Sequence, residues 1–309
     1  MKRDLILLMS VLLLTFLLTG CGGTAKKAPA GQTAITITDD AGKTVTLKKP
    51  AKRIISLYAA HTENLLALGL DAEIIGVSRT ETAAAMKDRP VFDYRADPEK
   101  ILVAEPDLVL VRPFVRRAHP EFVQAMENAG VVVASFYPDT FDAFDSYIER
   151  LAKLTGRETA AKEKLTAFHQ GLDELGKQAP AKRPQVFLEV TANGRTATGN
   201  SIPAGLIRAA GGEMIDLGGK PTAEGTSIAT YDLEQLVASG DKIDYYVAQR
   251  GPMNANISID SIRGRPGYDT IRAVKTGKVI ILPEELISRP TFQLLEGAKA
   301  LASFWAAGK

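Results

Sequence analysis

Between Arg53 and Trp305, short apolar runs alternate with helix-compatible stretches, and the whole alternation occurs twice. Strands that alternate with helices imply βαβ units and mostly parallel sheets. In the first half, Ile54 to Leu57, Glu73 to Val77, Leu108 to Val111 and Val131 to Ser135 read as strands. Thr62 to Leu68, Pro98 to Ala104 and Glu121 to Asn128 read as helices, with Gly69 and Gly130 as stop signals. In the second half, Val186 to Val190, Asp244 to Ala248 and Lys278 to Leu282 read as strands. Ile202 to Ala210, Leu233 to Ala238, Tyr268 to Val274 and Phe292 to Trp305 read as helices. An N-terminal hairpin is expected where Ala34 to Thr38 and Lys43 to Leu47 flank the turn-rich Asp39-Asp40-Ala41-Gly42.

Two segments, one in each half, match particularly well. Glu99, Ile101 to Ala104 and Asp107 to Pro113 match Glu234, Leu236 to Ala238 and Asp244 to Pro252. Between the halves, Ala160, Ala161, Leu165, Phe168, Leu172 and Leu175 recur at helical spacing within Arg157 to Gln178. About 22 helical residues span roughly 33 Å, enough for a stiff connection that restricts opening. The expected architecture is α/β: two Rossmann-like lobes with mostly parallel sheets, joined by one long α-helix, with a ligand cleft between them. The boundaries are 34–156 for the first lobe, 157–179 for the connecting helix and 180–309 for the second lobe with its closing helix.

The N-terminus reads as a processing signal over residues 1–20. Lys2 and Arg3 precede an apolar run from Leu5 to Leu18, about 14 residues and too short to span a bilayer as a helix. Leu18-Thr19-Gly20-Cys21 resembles the lipobox of bacterial lipoproteins, in which the cysteine is acylated and becomes the mature N-terminus. Cys21 is the sole cysteine, so no intramolecular disulfide can form. Residues 21–33 are small, polar and lysine-containing, as a flexible tether should be. The expected location is extracytoplasmic, anchored to the cell membrane through lipidated Cys21. Hydrophobic residues make up 45% of the chain, an ordinary globular proportion, and the formal net charge is +2. Neither suggests nucleic acid as a partner.

Arg53-Ile54-Ile55-Ser56-Leu57, Thr62-Glu63, Ala67-Leu68-Gly69 and Ile75-Gly76-Val77 resemble the opening of periplasmic-binding proteins for iron chelates and cobalamin. Glu99-Lys100-Ile101 and Glu105-Pro106-Asp107-Leu108-Val109 match the next signature of that family. The resemblance implies two α/β lobes joined by a long helix and capture of a small ligand for an ABC importer. It also implies docking to the importer's membrane subunits through one acidic residue per lobe, at Glu99 and Glu234. Equivalent residues on two similar lobes would meet a two-fold symmetric partner alike. The protein is expected to act as a monomer and to carry no resident cofactor.

In an open α/β sheet, ligands bind beyond the carboxyl ends of the strands. Arg79, Arg112, Arg250 and Arg289 follow strands, and Arg116 and Arg117 lie just after Arg112. Guanidinium groups converging on a cleft favour an anionic ligand, so an anionic ferric siderophore is the expected cargo. Tyr58, His61 and Tyr94 fall on the same strand-end loops and extend the candidate set. Tyr58 and His61 could ligate iron directly, as in haem or open ferric sites. His61, His119 and His169 form no spaced cluster, so no zinc site is expected. Haem, cobalamin or a molybdate-like oxyanion are alternative cargoes. The only tryptophan, Trp305, lies in the terminal helix, which argues against a bulky corrin. No nucleophile-elbow, phosphate-loop or dinucleotide motif suggests an enzyme.

Overall fold

The computed structural model describes residues 34–192, 194–222 and 226–308. The signal segment, the tether and Cys21 lie outside them. No helix among the described residues is long and apolar enough to cross a membrane.

The first lobe opens with an antiparallel hairpin of β1 (Ile35–Thr38) and β2 (Thr44–Leu47). A five-stranded parallel sheet follows, built from β3 (Ile54–Ser56), β4 (Ile74–Ser78), β5 (Val91–Phe92), β6 (Leu108–Val111) and β7 (Val132–Ser135). Its strand order is β5-β4-β3-β6-β7. Helices covering this sheet include α1 (Ala59–Ala67), α2 (Glu99–Leu102), α3 (Pro113–Ala118) and α4 (Pro120–Asn128). Both faces of β6 are fully buried, which is why it reads as an unbroken apolar run.

The second lobe holds a four-stranded parallel sheet of β8 (Gln185–Glu189), β10 (Glu213–Met214), β13 (Tyr245–Arg250) and β14 (Val279–Pro283), ordered β10-β8-β13-β14. A small antiparallel sheet, which the apolar pattern does not announce, joins β9 (Arg195–Ala197), β11 (Lys220–Pro221) and β12 (Ile228–Thr230).

The repeat seen in the sequence is also a repeat of hydrogen bonds. Asp107, just before β6, accepts from the backbone N–H groups of Lys52 and Arg53 at 2.9 and 3.0 Å. Asp244, just before β13, accepts from the N–H of Gln185 at 2.8 Å. Each aspartate thus ties the start of the neighbouring strand to its own, and the two lobes are the α/β pair expected.

Two helices lie between the sheets: α5 (Phe144–Thr155) and the long α6 (Glu158–Lys177). Gly156 at φ 67° ends α5 in the left-handed conformation that favours glycine. One stripe of α6, Ala161, Leu165, Phe168 and Leu172, is buried. Phe168 packs edge-on against Phe292, ring centroids 6.0 Å apart, and lies 5.3 Å from Phe144. The helix therefore lies against both lobes along its length. Gly171, which costs α6 about 1 kcal/mol of helix propensity, admits Leu295 of the closing helix: a Cβ there would sit 2.6 Å from Leu295 Cδ2. That closing helix, α12 (Leu294–Ala307), buries Trp305 against Tyr245.

The remaining helices are α7 (Ile202–Ala209), α8 (Leu233–Ala238), α9 (Ile259–Arg263), α10 (Arg272–Lys275) and α11 (Glu284–Ile287). Two stretches with no element assigned from the sequence hold helices. Arg112 to His119 is mostly helix α3, whose first residue is Pro113, where a missing N–H costs nothing. Pro252 to Arg265 contains α9, started by a reciprocal cap between Ser258 and Ser261. One sequence expectation changes. The expected helix from Tyr268 to Val274 is broken by Ile271, which turns extended so that its side chain is fully buried.

Candidate functional site

The strands of both sheets point their carboxyl ends at one cleft, a cavity of about 710 Å³ between the lobes. Tyr58, Ser78, Phe92, Arg112 and Tyr137 reach it from the ends of β3, β4, β5, β6 and β7. Val190, Gln249 and Glu284 reach it from β8, β13 and β14. This placement follows the strand-end rule on both sides. Tyr137 Oη and Ser227 Oγ approach to 3.4 Å across the gap.

Arg112 dominates the first-lobe wall. Its guanidinium carbon lies 4.8 Å from the Tyr58 ring centroid, 4.5 Å from Phe114 and 5.6 Å from Tyr137. Three ring faces hold the cation in place by charge–quadrupole attraction. Among the described residues, no carboxylate lies within ion-pair distance of Arg112. Tyr94 extends the aromatic wall, edge-to-face with Phe114 at 5.7 Å, and Arg95 sits over its ring.

Arg79 and Arg289 also line the cavity, but both are engaged. Arg79, at the exposed rim, pairs with Asp93 at 3.3 Å. Arg289 is buried at the floor and bridges the lobes: Nη1 donates to Glu63 of α1, and Nη2 donates to Glu284 at 2.7 Å. Nearby, Gln293 Nε2 donates to Glu63 at 2.9 Å and Asn64 Nδ2 donates to the Pro290 carbonyl at 2.8 Å. Burial raises the Glu63 carboxyl, and the Arg289 hydrogen bond opposes that rise. Arg289 is therefore a tie between lobes rather than an open anion-binding group.

Four expected site residues do not line the cavity, and one of them, Arg117, is exposed on α3. His61 is fully buried beneath it. Its Nε2 donates to the Val111 carbonyl at 3.2 Å, so Nδ1 accepts from Tyr147 Oη at 2.7 Å. Arg250 is exposed and donates to the Ile257 carbonyl of its own loop at 3.2 Å. Arg116 turns back along α4 to pair with Glu127 at 2.8 Å. Tyr58 does line the cleft, but burial, aided by Tyr137, pushes its phenol well above its ordinary range.

Burial pushes the His61 pKa down to about 3, against 6.5 for an ordinary histidine. The folded state therefore holds neutral imidazole while the unfolded chain takes up a proton below pH 6.5. The stability from His61 is complete above that pH and is lost as pH falls towards 3, by about 1.4 kcal/mol per pH unit. In urea denaturation at pH 7, 6 and 5, this loss should be present in the native chain and absent in His61→Gln. Equal pH slopes would contradict the buried-neutral assignment.

Residues outside the expected set also matter here. Phe92, Phe114 and Tyr137 join Tyr58 and Tyr94 on the wall, so the absence of a cleft tryptophan does not make the cleft poor in aromatic rings. Glu63, Asp93 and Glu284, the partners of the cleft arginines, were likewise unmarked. Away from the cleft, Glu99 and Glu234 are both exposed. Asp97 Oδ1 accepts from the Glu99 N–H at 3.0 Å, and Asp232 Oδ1 accepts from the Glu234 N–H at 2.8 Å. The same local turn thus presents both glutamates.

Residues 54–286 match the family described as periplasmic binding protein. The chain belongs to that family. This periplasmic binding protein is 26% identical to an ABC transporter substrate-binding lipoprotein, YvrC, of Bacillus subtilis, over 98% of this chain and 97% of that one. It is 24% identical to a cobalamin-binding protein of Halobacterium salinarum, over 87% of this chain and 73% of the relative. Its fold matches the structure of an ABC-type Fe3+-hydroxamate transport system protein from Saccharomonospora viridis. There the TM-score is 0.68 at 20% identity, covering 87% of this chain and 98% of the other. Periplasmic binding proteins of this type serve ABC transporters, and the two-lobe fold of this chain is theirs.

Proposed function

We propose that this periplasmic binding protein is the lipid-anchored, extracytoplasmic component of an ABC importer and that it captures an anionic metal chelate of the ferric-siderophore class. In this reading Cys21 carries the lipid, and Glu99 and Glu234 dock on the importer's membrane subunits. A single observation carries the ligand assignment. Arg112 stands in the cleft wall between three aromatic rings, and no carboxylate among the described residues pairs with it. A cation held in place but left unpaired suits an anionic ligand oxygen, and the surrounding rings suit a flat or aromatic chelate.

The aromatic wall also favours a second reading, a corrinoid ligand, which the cobalamin-binding relative supports. Haem held by direct ligation through His61 fits less well, because that side chain is fully buried with both ring nitrogens engaged. A small oxyanion would leave most of a 710 Å³ cavity unfilled.

The test is calorimetric titration with ferric siderophores, cyanocobalamin and haemin. Arg112→Ala is expected to weaken the best chelate by about 10- to 100-fold, or ~1.5–3 kcal/mol for a hydrogen bond to a charged group. Unchanged affinity would remove Arg112 from the site and the anion from the proposal.

A further inference from the structure

We propose that the cleft is a charge filter that admits chelates carrying no more than about one net negative charge and rejects polyanions. This deepens the chelate reading above and rests on it.

Four guanidinium groups line the cavity, those of Arg79, Arg95, Arg112 and Arg289. Three carboxylates answer them: Asp93 on Arg79, and both Glu63 and Glu284 on Arg289. One net positive charge remains, and the cations that carry it, Arg112 and Arg95, lie on the aromatic wall. The floor carries the opposite sign, because two carboxylates share the single cation of Arg289. Glu284 itself lines the cavity. Its Oε1 accepts from Arg289, whereas Oε2 has no donor among the described residues.

Beside it, Gln249 is only 2% exposed yet reaches the cavity lining. Ser288 Oγ donates to Gln249 Oε1 at 2.6 Å, which leaves the amide N–H groups without a partner among the described residues. The floor therefore offers uncharged donors to a ligand carbonyl and one acceptor carboxylate to a ligand N–H or O–H. A ligand oxygen carrying full charge can be matched at Arg112. A second or third such oxygen, spread over a compact chelate, would face Glu284. Like charges brought together in a partly desolvated site are strongly unfavourable. The chemical class that fits is a neutral or singly anionic chelate with carbonyl oxygens and at least one hydrogen-bond donor.

The filter is tested by titrating the full-length protein in detergent with three probes. These are a neutral ferric trihydroxamate, neutral cyanocobalamin and a trianionic ferric tricatecholate. The tricatecholate is expected to bind about 100-fold more weakly than the better neutral probe. Glu284→Gln, which keeps the acceptor for Arg289 and removes one negative charge, should narrow that ratio about tenfold. Asp93→Asn changes charge at the rim without touching the floor and should shift the ratio in the same direction, so the test does not depend on Glu284→Gln folding well. Equal or tighter tricatecholate binding by the native protein, or an unchanged ratio in both variants, would overturn the filter. Failure of all three probes to bind would overturn the chelate reading beneath it, and the filter with it.

Discussion

Replacing Arg289 with alanine is expected to lower the unfolding free energy by about 3–5 kcal/mol, the cost of stripping one partner from a buried ionic cluster. The reason is specific to the floor of the cleft. Glu63 comes from the first lobe and Glu284 from the second, their side chains are only 10% and 22% exposed, and Arg289 is their shared cation. Without it, two carboxylates face each other at the junction of the lobes. Chemical denaturation of Arg289→Ala, and of the same variant carrying Glu63→Gln and Glu284→Gln, separates this cause from loss of packing. The added glutamines should restore a large part of the loss, because they remove the unpaired charges. A loss below about 1 kcal/mol, or no restoration, would mean that Arg289 does not tie the lobes. A lysine at the same position should fall between, since one ammonium cannot reproduce the guanidinium fork that reaches both partners.

The double variant Glu99→Ala, Glu234→Ala is expected to bind ligand as the native protein does while losing most uptake. An interfacial charge pair that loses one partner costs about 2–5 kcal/mol, and here both lobes would lose theirs. The two glutamates sit on short helices α2 and α8 that open each half of the sequence repeat. An aspartate two residues earlier accepts the backbone N–H of each, so the same backbone hydrogen bond fixes both positions. Single variants should retain partial uptake, because in the proposed docking one lobe would still engage a symmetric partner. The check is radiolabelled cargo uptake in cells expressing each variant, alongside calorimetric affinity of the purified proteins. Normal uptake in the double variant would place the importer contact elsewhere.

Most of the scaffold was legible in the sequence because both lobes obey the simplest periodicities. Buried parallel strands such as Leu108–Val111 are unbroken apolar runs, and α6 carries a regular buried stripe. The matching Asp107 and Asp244 even mark equivalent strand starts. Helix α5 was missed although Phe144, Tyr147, Ile148 and Leu151 recur on one face and all are buried. The antiparallel strands β9, β11 and β12 are only two or three residues long, too short to show any period.

The site was legible only to the level of loops. Position after a strand located Tyr58, Arg79, Tyr94, Arg112 and Arg289 at the cleft, but it carries no information about side-chain direction. Arg112 comes five residues after Asp107 and Arg250 six after Asp244, so Arg250 stands one step out of register: Arg112 stacks on rings in the cavity, whereas Arg250 bonds its own loop. What separates them is local: Phe114 and two tyrosines surround the first, whereas the carbonyl of Ile257 captures the second. Nor could sequence spacing show that Arg289 would meet Glu63, since the two are far apart in the chain and come together only when the lobes pack. The same rule applied after β7 would have found Tyr137.

Assignment of the cleft is tested most directly by locating the metal in crystals of the protein grown with its chelate, from anomalous scattering at the metal edge. The expected result is one peak between the lobes, with a chelate oxygen on the Arg112 guanidinium and the chelate face against Tyr58 and Phe114. A peak elsewhere, for example in the acidic groove between α5 and α6 lined by Asp145, Glu158 and Asp173, would contradict it.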